Sequence, residues 1–166
     1  MSSTVVGTFS EMCMNISHEK KNERGRMSYF SSACLRISGD DVNPELCSAL
    51  LQIEPDRAWA KGEIYHLKID GREAIRNTGL WLYASKLAIP PYNPDLHVRE
   101  IISVFKGKGK VFDEIRRQGD VRFSLIVEWG ISHGTYYLDR RLLCDILNLG
   151  VDDVGYCFVG IDEDVP

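Results

Sequence analysis

Apolar and polar positions along this chain fall into short periodic segments separated by Gly, Pro, Asn and Asp, and the period switches between that of a strand and that of a helix. Tyr29 to Ser38 is rich in strand formers, with Cys34 and Arg36 alternating against Leu35 and Ile37, and predicts a first strand. Asn43 is a good N-cap, Pro44 suits the first helical position, and Leu46, Leu50 and Ile53 then recur on one face. They predict a helix from about Pro44 to Gln52 that Pro55 stops. Glu63 to Ile69 and Thr78 to Ser85 predict two strands of an irregular hairpin turning through Asp70-Gly71. Asn93-Pro94-Asp95 opens a helix that buries Val98, Ile101, Ile102 and Phe105, and Lys106-Gly107-Lys108-Gly109 breaks it. A shorter helix with Val111, Phe112 and Ile115 follows and stops at Gly119. Val121 to Trp129 alternates cleanly and is the strongest strand signal. After a turn over Gly130 to Gly134 and a segment Thr135 to Leu138, Asp139 caps a helix carrying Leu142, Leu143, Ile146 and Leu147 that ends at Gly150. Val154 to Ile161 predicts the last strand.

The run Asn43, Leu46, Leu50, Leu51, Gln52, Ile53 is echoed at the same spacing by Asp139, Leu142, Ile146, Leu147, Asn148, Leu149, each run lying between two strands. Two related β-α-β-like halves would produce this echo, as would two capped amphipathic helices arising independently. The expected fold is α+β, a mainly antiparallel sheet with helices packed on one face in a ferredoxin-like arrangement. Residues 1–27 read as a loosely ordered polar leader ending in the charge run His18 to Arg26, and 28–166 as a single domain. Met27 stands directly before the first strand and is a second candidate start.

Composition narrows the class. A chain of 166 residues with 44% apolar and 27% charged content can bury a core without metal or disulfide staples. It has no apolar stretch long enough to span a bilayer, so no membrane partner is expected. Its five cysteines are odd in number and lack a CxxC pair, and the N-terminus has no basic region followed by an apolar one; both features fit a reduced, cytoplasmic protein. The net charge of −4, from 20 Lys and Arg against 24 Asp and Glu, argues against a generic nucleic-acid binder and towards a cationic protein partner or none. Acids cluster at Asp40-Asp41, Glu54 and Asp56, Asp152-Asp153 and Asp162-Glu163-Asp164, although short clusters of this kind are usually solvated caps and loop ends.

Catalytic constellations are scarce. The four histidines (His18, His66, His97, His133) form no ligand pair at helical spacing, and no Cys/His set has zinc spacing, so neither a metal nor a cofactor is expected. His97 reads as a solvated residue on a polar helix face and His133 as an exposed turn residue. The G-x-S-x-G elbow and the H-E-x-x-H helix are absent, and Lys106 to Lys110 lacks the phosphate-loop pattern and reads as a solvated linker. Trp59, between Arg57 and Lys61, and Trp81, just after Gly79, read either as plugs at one end of the core or as a shared exposed anchor flanked by Arg57, Asp56 and Lys61.

The series Ser38-Gly39-Asp40-Asp41, Pro44-Glu45, Leu50-Leu51, Ile53, Pro55, Arg57-Ala58-Trp59, Lys61-Gly62 and Thr78-Gly79-Leu80-Trp81, with Val127 to Gly130 later, resembles the bacterial domain-of-unknown-function family catalogued as four-two-seven-nine. The resemblance spans roughly Tyr29 to Ile161, and the leader and the segment Ile64 to Arg76 depart from it. It brings no catalytic residues. Small acidic cytoplasmic members of such families are similar in kind to immunity proteins, which implies a non-enzymatic inhibitor of a cognate toxin, with a basic nuclease as the expected target. The contact residues expected for such a protein come from the acidic clusters and the tryptophans of this chain: Asp40, Asp41, Asp56, Trp59, Trp81, Asp152 and Asp153. The competing expectations are a small enzyme or ligand-binding domain with a pocket near Trp59, Trp81, Arg57 and Lys61, and a housekeeping interaction domain.

Overall fold

The computed structural model describes residues 30–67, 71–87, 93–131 and 138–160; the leader, Cys13, His18 and His133 lie outside them. In chain order the elements are β1 (Phe30–Gly39), α1 (Pro44–Leu51), β2 (Arg57–Trp59), β3 (Ile64–His66), β4 (Glu73–Ile75), β5 (Gly79–Ala84), α2 (Pro94–Phe105), α3 (Gly109–Arg116), β6 (Arg122–Ile131), α4 (Arg140–Leu149) and β7 (Asp153–Gly160). The cap residues act as the sequence predicts. Asn43 Oδ1 accepts the Leu46 N–H at 3.1 Å and Asp139 Oδ1 accepts the Leu142 N–H at 2.7 Å, each satisfying a donor that the first helical turn leaves open. Gln52 and Gly150 end their helices in the left-handed conformation.

Five strands form one sheet in the order β2-β5-β1-β6-β7, antiparallel throughout except for the parallel pair β6 and β7. The long strands β1 and β6 occupy the middle, with Leu35 opposite both Tyr83 of β5 and Leu125 of β6. One face carries Leu35, Ile37, Trp81, Phe123 and Leu125. It is covered by Cys47 and Leu51 of α1, Val98, Ile101 and Phe105 of α2, Phe112 and Ile115 of α3, and Leu142, Ile146 and Leu149 of α4. Phe112 stacks on Phe123 with ring centroids 4.4 Å apart, and Phe105 meets Trp81 edge-on at 6.2 Å. The opposite face holds a smaller cluster of Cys34, Leu80, Leu82, Ala84 and Ile126, with Trp59 packed on it.

The α+β class with helices on one face is therefore correct, whereas the ferredoxin-like topology is not. In a ferredoxin-like sheet each β-α-β unit is split by a strand of the other. Here β5 separates β1 from β2, but β6 and β7 are direct neighbours. The internal echo also fails in three dimensions. Leu142 is buried while its counterpart Leu46 is 40% exposed, and Leu147 is 68% exposed while its counterpart Leu51 is buried. Equal spacing has produced two helices that turn different faces to the sheet.

The expected hairpin needs correction as well. Ile64–His66 pairs with Glu73–Ile75 in a separate two-stranded ribbon, while Gly79–Ala84 joins the main sheet beside β1. The strand Gly79–Ala84 is apolar on both faces, which suits an inner position, and the shorter segment Glu73–Ile75 closes the ribbon.

Candidate functional site at the acidic end of the sheet

β1 ends where β6 and β7 begin, so the residues flanking those three strand ends meet at one end of the sheet. Ser38-Gly39-Asp40-Asp41 turns there and grips the loop before β6. The Asp120 N–H donates to Asp41 Oδ2 at 2.8 Å, the Asp41 N–H donates to the Asp120 carbonyl at 3.3 Å, and the Asp40 N–H donates to Asp120 Oδ2 at 3.3 Å. The approach is close enough to require glycine twice. A Cβ on Gly39 would lie 1.9 Å from the Asp120 carbonyl oxygen, and one on Gly119 would lie 2.3 Å from Asp41 Oδ2; both residues also have positive φ. Lys61 forms an ion pair with Asp40, whose hydrogen bond holds the ammonium pKa above the ordinary lysine value.

Asp152 supports the second half of this end. Its Oδ2 accepts the Phe123 N–H at 2.7 Å and its own N–H donates to the Phe123 carbonyl at 2.8 Å, fixing the start of the parallel pair. The Arg116 guanidinium donates to Asp152 Oδ1 at 3.0 Å and to the Gly150 carbonyl at 2.5 Å while lying over the Phe123 ring. Arg116, Gly119, Asp120, Val121, Arg122, Asp152 and Asp153 line an open groove of about 560 Å³. Tertiary structure thus joins Asp40-Asp41 and Asp152-Asp153, which are over a hundred residues apart in sequence, through Asp120. Asp120 was missed in sequence reasoning. A lone acid in the Gly119-Asp120 turn carries no signal until its contact with Asp41 is seen.

Asp56 does not belong to this end. It sits at the start of β2, accepts the Ala84 N–H at 2.8 Å and pairs with Lys86. Trp81 is corrected outright, because it is fully buried with its Nε1–H donating to Ser48 Oγ at 3.0 Å and offers no surface to a partner. Neither expectation for the two tryptophans as a pair holds. Trp81 belongs to the helix-covered core and Trp59 to the cluster on the opposite face, so they share neither a plug nor a pocket. Trp59 is half-buried; its Nε1–H donates to the Thr78 carbonyl at 3.1 Å, and the Arg76 guanidinium is sandwiched 3.9 Å from its ring and 3.7 Å from that of Tyr65.

His97 departs from its expected solvated position. It is 4% exposed, with Nδ1 2.7 Å from Ser85 Oγ and, among the described residues, no hydrogen-bond partner at Nε2. Burial pushes its pKa below 6.5, opposed in part by Glu100. Among the described residues no cluster of His, Cys, Asp and Glu could hold a metal, and no helix is long and apolar enough to cross a membrane.

The fold and this end of the sheet define an α+β protein whose signature acids and glycines fasten strand ends together. The chain belongs to the family described as "Domain of unknown function (DUF4279)", whose model matches residues 28–152. No curated protein and no solved structure gives a significant match.

Proposed function

We propose that the protein is a non-enzymatic, cytoplasmic immunity protein that binds a basic toxin domain, a nuclease by preference, through the acidic end of its sheet. The observation that carries this reading is that Asp120, Asp152 and Asp153 line one open groove while Asp40 and Asp41 are bonded to Asp120 at the same end of the sheet. Lys61 and Arg116 each engage one of these acids, and Arg122 also lines the groove. The Asp153 carboxylate, by contrast, is exposed and, among the described residues, takes no hydrogen bond or ion pair, so its charge is available to a partner. A surface with an excess of acids over cations steers a cationic partner and raises the association rate, with a dependence on salt. Asp56 and Trp81 drop out of the contact set, and Trp59 acts from beneath, as a support.

The test is co-purification of tagged protein from its native host under conditions that express toxin systems, with mass spectrometry of what survives moderate salt. A stoichiometric basic fragment of a larger secreted protein, whose association slows with added salt and with Asp153→Lys, is the expected result. Recovery of the protein alone would overturn the reading.

A further inference from the structure

We infer that the outward face of α4 is a self-association surface, on which a second copy of this chain docks its own α4 antiparallel across a two-fold axis. The inference stands apart from the toxin-binding reading and does not depend on it. α4 lies against the sheet through Leu142, Ile146 and Leu149, all buried, and it carries two further leucines that the core does not use. Leu143 is 43% exposed and Leu147 is 68% exposed. They stand one turn apart, so they form a single apolar stripe directed to solvent.

The charges of the same helix say what covers the stripe. Acids suit the first turn of a helix and cations its last, where each complements the macrodipole. α4 reverses this at its start, because its first turn holds no acid and its first two residues are the exposed Arg140 and Arg141. Among the described residues neither arginine takes part in an ion pair. The N-cap carboxylate of Asp139 is already engaged by the Leu142 N–H and by Arg99, so this end is cationic. The other end is anionic: the last turn holds no base, the terminal carbonyls point there, and Asp152 and Asp153 follow with Arg116 paired to the first of them.

A helix with a cationic start, an apolar middle and an anionic finish complements itself when reversed. A two-fold axis at the level of Asp145, whose side chain is two positions from each leucine and off the stripe, sets Leu143 against Leu147 of the second copy. The same axis sets Arg140 and Arg141 beside Gly150 and Leu149 of the second copy, at its anionic end. Each contact then occurs twice, as an isologous interface requires. The arginines, unfavourable on their own helix, become favourable on their neighbour's.

Two leucines from each copy make a small interface, so the dimer is weak and its population rises with concentration. Sedimentation equilibrium of the full chain from about 1 μM to about 1 mM reads it. Wild type should pass from monomer to dimer within that range, and added salt should move the passage to higher concentration. Leu143→Gln/Leu147→Gln keeps good helix formers at exposed positions and should raise the dissociation constant by roughly tenfold or more. Arg140→Glu/Arg141→Glu should also raise it, while the melting temperature of the dilute monomer holds or rises because acids now occupy the first turn. That second reading separates lost association from lost folding. A wild type that is monomeric throughout the range would overturn the inference. A dimer that either double variant leaves unchanged would overturn it as well, since the apolar stripe and the charged ends act together in the antiparallel arrangement.

Discussion

Asp41 and Asp120 hold one another's backbone across the end of the sheet, through Asp120 N–H to Asp41 Oδ2 at 2.8 Å and Asp41 N–H to Asp120 carbonyl at 3.3 Å. This reciprocal pair fastens the end of β1 to the start of β6, the two strands that the rest of the sheet is built around. Asp41→Ala should lower unfolding free energy by about 1–3 kcal/mol, because a charged acceptor is withdrawn from a backbone donor. Gly39→Ala should be worse, since its Cβ would sit 1.9 Å from a backbone oxygen that cannot swing aside. Urea denaturation of both variants measures the difference, and equal midpoints for Gly39→Ala and wild type would show that the grip is dispensable.

Neighbouring acids at this end have different tasks, so charge reversal should separate them. Asp152→Lys removes the acceptor of the Phe123 N–H and sets a second cation against Arg116, and it should destabilise the fold by about 1–3 kcal/mol. Asp153→Lys should change stability by no more than about 0.5 kcal/mol. Thermal melts of the two proteins check this before any binding experiment is interpreted.

The tryptophans should behave as residues of two different environments. Trp81→Ala empties a fully buried site and leaves Ser48 without its donor, a loss of about 3–5 kcal/mol. Trp59→Ala should cost less globally and release the hairpin locally, because Arg76 loses one of its two rings. Hydrogen exchange at the Tyr65 and Ala74 amides should then accelerate far more than at Leu35. Equal acceleration throughout would show instead that Trp59 supports the whole sheet.

Acid should weaken the protein partly through His97. Its folded pKa is depressed by burial, so the unfolded chain takes up the proton first; the neutral ring's contribution is complete above about pH 6.5 and is lost as pH falls through the lower folded value. Denaturant midpoints at pH 7.5 and 5.5, about one unit either side of the ordinary histidine value, should diverge more for wild type than for His97→Gln, which never charges. Identical pH dependence in the two proteins would remove His97 from the acid response.

Thiol labelling should follow burial. Burial pushes the Cys47 thiol up to about 11, and Cys34 is also buried, whereas Cys144 is exposed on α4. Among the described cysteines a thiol reagent at neutral pH should modify Cys144 first and reach Cys34 and Cys47 on unfolding, as peptide mapping would show. Rapid labelling of Cys47 in the native protein would contradict the packing of α1 against the sheet.

Local chemistry made much of this fold legible in the sequence. Asn43 and Asp139 cap helices through their own side chains, Pro44 and Pro94 sit at first helical positions, and β6 alternates; each effect is decided within a few residues. The faces of α1 and α4 were less legible, because each has more apolar residues than it buries. Leu46 or Leu51, and Leu142 or Leu147, are equivalent choices until the sheet beneath selects one.

The sequence by itself determined the α+β class, the family, the helix starts and the acidic clusters, since caps, periodicity and charge act over a few residues along the chain. Only the tertiary structure decided the strand order, the opposite faces of Trp59 and Trp81, the burial of His97 and the meeting of Asp40-Asp41 with Asp152-Asp153 through Asp120. These depend on which distant segments pair and which side of the sheet the helices cover. Those choices are made by the summed burial of a whole core, and no single stretch of sequence carries that sum.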